Sequence, residues 1–191
     1  MSNFEIAAVL VSVLGVTLTI RRSMWCWIVN FIAVVMYAYL FYVVKLYGET
    51  LLQCVFMAMN IYGFYHWSKA KQHDHEIRLE HLSSKLAWGQ IILTMIAGLI
   101  FGLSLQQFTD AAVPILDGQL AMFSLLATYW TSRKHIQTWM LWVVVDIVYV
   151  GMFAYKGLLP TAGLYAAFVL LAAFGWWQWL QVKQKQQANS Y

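Results

Sequence analysis

Acidic residues are scarce in this chain: 8 Asp and Glu stand against 12 Lys and Arg in 191 residues, and charged residues of both signs make up only 10%. A catalytic pair of carboxylates, or an oxygen cage for a metal, needs acids gathered in one place. Only Asp146 lies in the middle of a long apolar run. Cysteine is scarcer still. Cys26 and Cys54 sit in or beside apolar runs with no spacing that suggests a metal site or a disulfide framework, so both read as small buried hydrophobes. No Gly-x-x-x-x-Gly-Lys-Ser/Thr loop is present to cradle ATP, and neither Gly-x-Ser-x-Gly nor His-Glu-x-x-His occurs. These absences exclude direct use of ATP and leave an enzyme without a nucleophile, a base or a metal cage. No cofactor is expected.

What the chain has in abundance is apolar sequence. Hydrophobic residues make up 62% and the mean hydropathy is +0.64, far above the soluble average. A membrane-spanning helix needs about 20 mostly apolar residues. Seven runs meet that need: Phe4 to Ile20, Met24 to Val44, Leu51 to Trp67, Leu86 to Leu103, Ile115 to Trp130, Thr138 to Tyr155 and Thr161 to Leu180. The expected fold is an all-α polytopic membrane protein of seven transmembrane helices. The first run lacks a basic leader and a small-residue cleavage site, so it reads as a retained helix. Arg21, Arg22, Lys69, Lys71, Arg78, Lys85, Arg133, Lys134, Lys183 and Lys185 fall on one side of such a topology, Lys45 and Lys156 on the other. The positive-inside rule puts the larger group in the cytoplasm, with the N-terminus outside and the C-terminus inside. The net charge of +4 is thus an orientation signal and gives no reason to expect a nucleic-acid partner.

Asp146 is the first residue to explain, because an ionisable group inside a membrane is costly and marks a functional site by default. At about 100° per residue, Trp139, Trp142, Asp146, Tyr149 and Phe153 share an arc of about 80° on one helical face. Two indoles, a phenol, a phenyl ring and one negative charge suit a flat organic cation, held by stacking and cation–π attraction against a single counter-charge. The competing reading is a packing face, which accounts for the aromatics but gives no role to the charge.

A shift of 112 residues, from Trp27 to Trp139, superposes two stretches without gaps. Arg21 falls on Arg133, Tyr37 on Tyr149, Phe41 on Phe153, Phe56 on Phe168, Gly63 on Gly175 and Trp67 on Trp179, and Asn30 takes the place of Trp142. A constant offset over Arg21 to Trp67, with matching loop charges, argues for two copies of a three-helix unit joined by a fourth helix. One linking helix returns the chain in the same sense, so the repeat is parallel, a pattern known in transporters. The expected division is 1–67 for the first copy, 68–112 for a cytoplasmic loop and linker helix, 113–180 for the second copy and 181–191 for a polar, mobile cytoplasmic tail. The binding site is expected near the midplane between the copies.

The third run places Gln53 and Asn60 almost on one face, with Phe56, Gly63 and Trp67 alongside. Buried amides need partners in lipid, so they should point inward, either as interhelical glue or as donors to a substrate's oxygens. In the seventh run Thr161, Tyr165, Phe168, Ala172, Gly175 and Trp179 share a face. Gly98 and Gly102 in the fourth form a small-xxx-small pair for close packing. Ser68 to Lys85 reads as a solvated linker. Its His73 to Glu76 tetrad could bind a metal, but solvent exposure favours the plain linker.

The Trp-x-x-Trp-x-x-x-Asp run at Trp139, Trp142 and Asp146 resembles the PnuC family of bacterial vitamin transporters. So do Lys45 to Glu49 followed by Leu52 and Gln53, the Tyr62 to Trp67 ending, and the stretch from Lys156 to Leu158. The similarity runs over nearly the whole chain. It implies an inner-membrane nicotinamide riboside carrier of three-plus-one-plus-three helices, related in architecture to SWEET-type sugar carriers. It also implies a homotrimer working by facilitated diffusion without ion coupling, with substrate trapped by a cytoplasmic kinase. Carried over by position, the substrate motif falls on Trp139, Trp142 and Asp146. Gln53 and Asn60 are expected partners, and Asn30, Tyr37, Tyr149 and Tyr165 complete the candidate site. Asp stands where Asn is usual, which leaves thiamine, another aromatic cation, as an alternative substrate. From a different class, a membrane-embedded vitamin sensor would present the same face without moving substrate.

Overall fold

The computed structural model describes residues 3–43, 47–74, 77–109, 113–155, 157 and 159–188. Among them are seven helices: α1 (Asn3–Ile20), α2 (Trp25–Val43), α3 (Tyr47–Asp74), α4 (Ser84–Phe108), α5 (Pro114–Ser132), α6 (Gln137–Tyr155) and α7 (Leu159–Ala188). Among the described residues, each expected apolar run falls on a helix. Five of them, α1, α2, α4, α6 and α7, are long and apolar enough to cross a membrane. The other two are diluted by polar side chains: Gln53, Asn60 and His66 in α3, and Asp117, Gln119, Ser124 and Thr131 in α5.

Two expected boundaries are corrected. α3 runs seven residues past Trp67, so the supposed linker begins as helix, and α7 continues to Ala188 through the stretch expected to be a mobile tail. Both extensions are polar but rich in Lys, Gln and Ala, which favour helix even where there is no apolar face to bury. The rest of the linker is not a solvated loop either, since Ile77, Leu79 and Leu82 are buried. Residues 75 and 76 lie outside the described residues, as do the side chains of His73 and Asp74, and with them the tetrad considered for metal binding.

The chain divides into two compact units. The first holds residues 1–79 with 132–134 and 181–191; the second holds 80–131 and 135–180, so that α4 groups with α5, α6 and most of α7. The units share local detail at the 112-residue offset. α1 ends in a left-handed residue, Arg22 (φ 55°), and α5 in Lys134 (φ 63°). Beyond Arg22, the Ser23 N–H donates to Leu18 O at 3.0 Å. Beyond Lys134, the His135 N–H donates to Trp130 O at 2.9 Å. Both are the long-range bond of a Schellman cap, which satisfies the last carbonyls of a helix. The next helix then starts alike in each, with Cys26 N–H to Ser23 O matched by Thr138 N–H to His135 O.

Aromatic packing repeats as well. Trp27 meets Trp67 edge to face at 5.3 Å and 88°, and Trp139 meets Trp179 at 5.4 Å and 87°. Gly63 lies flat against the Trp27 ring and Gly175 against the Trp139 ring, with no room for a Cβ at either.

Gly98 and Gly102 are buried within the second unit, where α4 crosses α5 backbone to backbone. A Cβ at Gly118 would lie 2.6 Å from Gly102 Cα and 2.8 Å from Gly98 O. Main chain cannot move aside as a rotamer can, so Gly118→Ala should destabilise the protein by about 2 kcal/mol. The check is a thermal melt of the detergent-solubilised variant beside Gly89→Ala, where a Cβ meets nothing within 4 Å. Equal melting temperatures would show that this crossing does not hold the fold.

Candidate functional site

The site is built on α6. Asp146 is 5% exposed, and among the described residues the structure gives its carboxylate no hydrogen bond and no ion pair. A buried carboxylate without a partner costs several kcal/mol in an apolar medium, so the side chain is kept for something other than the stability of the fold. One turn towards the helix N-terminus, Trp142 is half-buried and packs beside Leu120, Val145 and Met152. One turn the other way is Tyr149, also half-buried against the same cluster.

Beyond Tyr149 the rings continue as a ladder across α6 and α7. Tyr149 stacks on Phe153 at 5.9 Å, and Tyr165 lies 4.5 Å from Tyr149 and 5.2 Å from Phe153. Phe168 meets Tyr165 edge to face at 5.9 Å. Within the second unit Tyr149 and Tyr165 therefore meet, with Asp146 one turn and Trp142 two turns back from Tyr149 along α6.

Trp139 is placed differently. It is 3% exposed, its face is covered by Gly175, its edge by Trp179, and its indole N–H has no acceptor among the described residues. Its counterpart Trp27 has matching surroundings, Gly63 on its face, Trp67 at its edge and an indole N–H with no acceptor among the described residues. The sequence shows Trp27 with Trp139 and Gly63 with Gly175 at one offset, but only the structure shows that each Gly lies against the Trp ring of its own unit.

The candidates in the first unit are engaged locally. The Asn30 amide donates to Thr19 Oγ1 at 3.4 Å and its oxygen packs on Gly15, which ties α2 to α1. Asn60 is 5% exposed and its amide N–H donates to Phe56 O one turn back, at 2.9 Å. Gln53 is half-buried, and Tyr37 packs beside Phe41 at 6.1 Å as Tyr149 does beside Phe153. At the 112-residue offset the first unit thus carries amides where the second carries rings: Asn30 for Trp142, Gln53 for Tyr165.

A model of the nicotinamide mononucleotide transporter family matches residues 2–181. The chain belongs to that family. It is 26% identical over 184 residues to the nicotinamide riboside transporter PnuC of Escherichia coli K12, an alignment covering 83% of this chain and 77% of that protein. It is 24% identical over 176 residues to the riboflavin/roseoflavin transporter RibM of Streptomyces davaonensis, covering 88% and 81%. Among solved structures, that of the vitamin B3 transporter PnuC superposes with a TM-score of 0.75 at 21% identity, over 93% of this chain and 80% of that one. The PnuC fold is therefore shared. The resemblance read from Trp139, Trp142 and Asp146 is borne out at the level of the family, and its members named here are transporters.

Proposed function

We propose that this protein is a membrane carrier for an aromatic, cationic vitamin, with nicotinamide riboside as substrate. The observation that carries the reading is Asp146, a buried carboxylate with no partner among the described residues, set between Trp142 and Tyr149. A pyridinium ring stacked on the indole and paired with the carboxylate supplies the missing counter-charge. In this reading Trp142, Asp146, Tyr149 and Tyr165 touch substrate, whereas Trp139 holds α6 in register against α7. Gln53 and Asn60 are proposed to meet the substrate's polar groups, Asn60 through the amide oxygen, since its amide N–H donates to Phe56 O.

The finer features belong to the same proposal. All seven helices span, arranged as three plus one plus three with two parallel copies, which the matched caps and Trp–Gly pairs support. The N-terminus is outside the inner membrane and the chain is a homotrimer. Transport is facilitated diffusion, with trapping by a cytoplasmic kinase. Asp146 is the only acid deep in an apolar run, and once it is assigned to the substrate no acidic relay remains to couple protons. Uptake into vesicles is accordingly expected to stay within about twofold when proton and sodium gradients are both abolished. A tenfold fall would establish coupling.

A second reading is favoured by the Asp itself, since a carboxylate suits thiamine as well as nicotinamide riboside, and suits neutral riboflavin less. Titration of the purified protein with each of the three, followed by tryptophan quenching, tests the choice. Tightest binding of nicotinamide riboside supports the proposal, tightest binding of thiamine moves the substrate within the same chemistry, and tightest binding of riboflavin removes the role given to Asp146.

A further inference from the structure

Within the first unit, Met24 just before α2 and the last three turns of α3 line an open groove of about 370 Å³. That volume lies within the usual range of small-molecule sites, about 300–1,000 Å³. Its walls are Met24, Phe64, Ser68, Lys71 and Gln72. On α3, Phe64, Ser68 and Lys71 are spaced i, i+4 and i+7, so they fall within about 60° of one another on one helical face. The wall is therefore graded along the helix: an aromatic ring, then a hydroxyl, then an ammonium group with the Gln72 amide beside it. Phe64 is 41% exposed, Lys71 and Gln72 are exposed, and Met24 and Ser68 are half-buried. Among the described residues, none hydrogen-bonds or ion-pairs with the side chains of Ser68, Lys71 or Gln72.

The gradient coincides with the edge of the apolar sequence. Phe64 lies in the run that ends at Trp67, and Met24 opens the run that becomes α2, whereas Ser68, Lys71 and Gln72 lie on the polar extension of α3. Four helical residues, about 6 Å, separate Phe64 from Ser68. The polar layer of one leaflet is comparable, about 5–8 Å deep. Charge agrees with this placement, since Arg21, Lys69, Arg133, Lys134, Lys183 and Lys185 belong to the same unit and to the same side of the expected topology.

We propose that this groove binds an anionic phospholipid of the leaflet on that side, its acyl chain against Met24 and Phe64 and its phosphate at Lys71, with Ser68 and Gln72 donating to the phosphate oxygens. A soluble anion has no use for the apolar half, and a lipid without net charge gains less from Lys71. An amphiphile with a negative head satisfies both halves, which is how basic pockets at the ends of membrane helices take up such headgroups. The proposal needs α2 and α3 to cross the membrane, and it does not depend on which substrate is carried.

Native mass spectrometry of the delipidated, detergent-solubilised protein, titrated with phosphatidylglycerol, with phosphatidylcholine of the same acyl chains or with glycerol phosphate, tests it. Phosphatidylglycerol should bind saturably and about fivefold more tightly than phosphatidylcholine, and glycerol phosphate should not bind in the same range. Lys71→Gln should weaken phosphatidylglycerol about fivefold, equivalent to about 1 kcal/mol, and leave phosphatidylcholine unchanged. Phe64→Ala should weaken both lipids alike. Lys69→Gln removes the same charge from an exposed neighbour outside the groove and should stay within about twofold of the wild type. Equal binding of the two lipids, or equal losses in Lys71→Gln and Lys69→Gln, would show only diffuse attraction to a basic surface and overturn the proposal. Tight binding of glycerol phosphate would make the groove a site for a free phosphate and overturn it too. A protein that binds labelled nicotinamide riboside yet retains no phosphatidylglycerol would overturn the lipid site and leave the transport reading standing.

Discussion

Asp146→Leu is expected to abolish saturable binding of a cationic substrate, a loss beyond a hundredfold, while raising the melting temperature of the detergent-solubilised protein by several degrees. Both changes follow from one fact, that the carboxylate is 5% exposed and has no protein partner among the described residues. Placing an aspartate at the centre of a membrane helix costs about 3 kcal/mol, and a leucine of similar size removes that cost. The cation then loses its counter-charge in a medium where such a pair is worth more than a neutral hydrogen bond. Asp146→Asn keeps the shape and one acceptor, so it should weaken binding about tenfold, or about 1.4 kcal/mol. Trp142→Ala should cost at least as much through lost stacking. Calorimetric titration and a thermal melt of the same preparations check both halves. Wild-type affinity in Asp146→Leu would mean that the carboxylate faces something other than substrate.

Gly63→Ala and Gly175→Ala are expected to destabilise the protein by equal amounts, about 2–3 kcal/mol each. In each unit the added methyl would enter a tryptophan ring, Trp27 in one and Trp139 in the other, and each ring is already pinned at its edge by a second tryptophan. Neither ring can swing away without breaking that contact. Trimming the ring in the double variant Gly175→Ala/Trp139→Leu should recover part of the loss, because residues in direct contact do not add. Gly175→Ala should also weaken substrate binding, since Trp139 fixes the register of the helix that carries Asp146 two turns on. Melting curves and titrations measure the two effects. If Gly175→Ala is destabilising and Gly63→Ala is harmless, the two copies are not equivalent in packing, and the repeat is a feature of sequence only.

The helices were legible because length and apolarity are local properties, and seven runs gave seven helices among the described residues. The paired local details at the 112-residue offset were legible because their markers, Gly63 with Gly175 and Trp67 with Trp179, are residue types that close packing fixes tightly. The partly buried stretch from Ile77 to Leu82 was not. Its signal is three apolar residues, Ile77, Leu79 and Leu82, unevenly spaced in a stretch otherwise made of charges and histidines, and composition outweighs so few residues with no regular period. The helical extensions after Trp67 and Leu180 were missed for a related reason, since a polar helix has no hydrophobic stripe to detect. Trp139 and Trp142 could not be told apart from spacing. Both lie on the Asp146 face, and only the placing of Gly175 and Trp179 against one of them shows which ring is already used.

The central claim, that this chain moves an aromatic cation through a site centred on Asp146, is tested most directly in proteoliposomes holding purified protein, by timing the entry of labelled nicotinamide riboside with and without excess unlabelled thiamine. The account predicts saturable entry that ends at equal concentrations inside and out, is slowed by thiamine, and is lost in Asp146→Leu. Saturable binding without entry, or entry unchanged in Asp146→Leu, would contradict it.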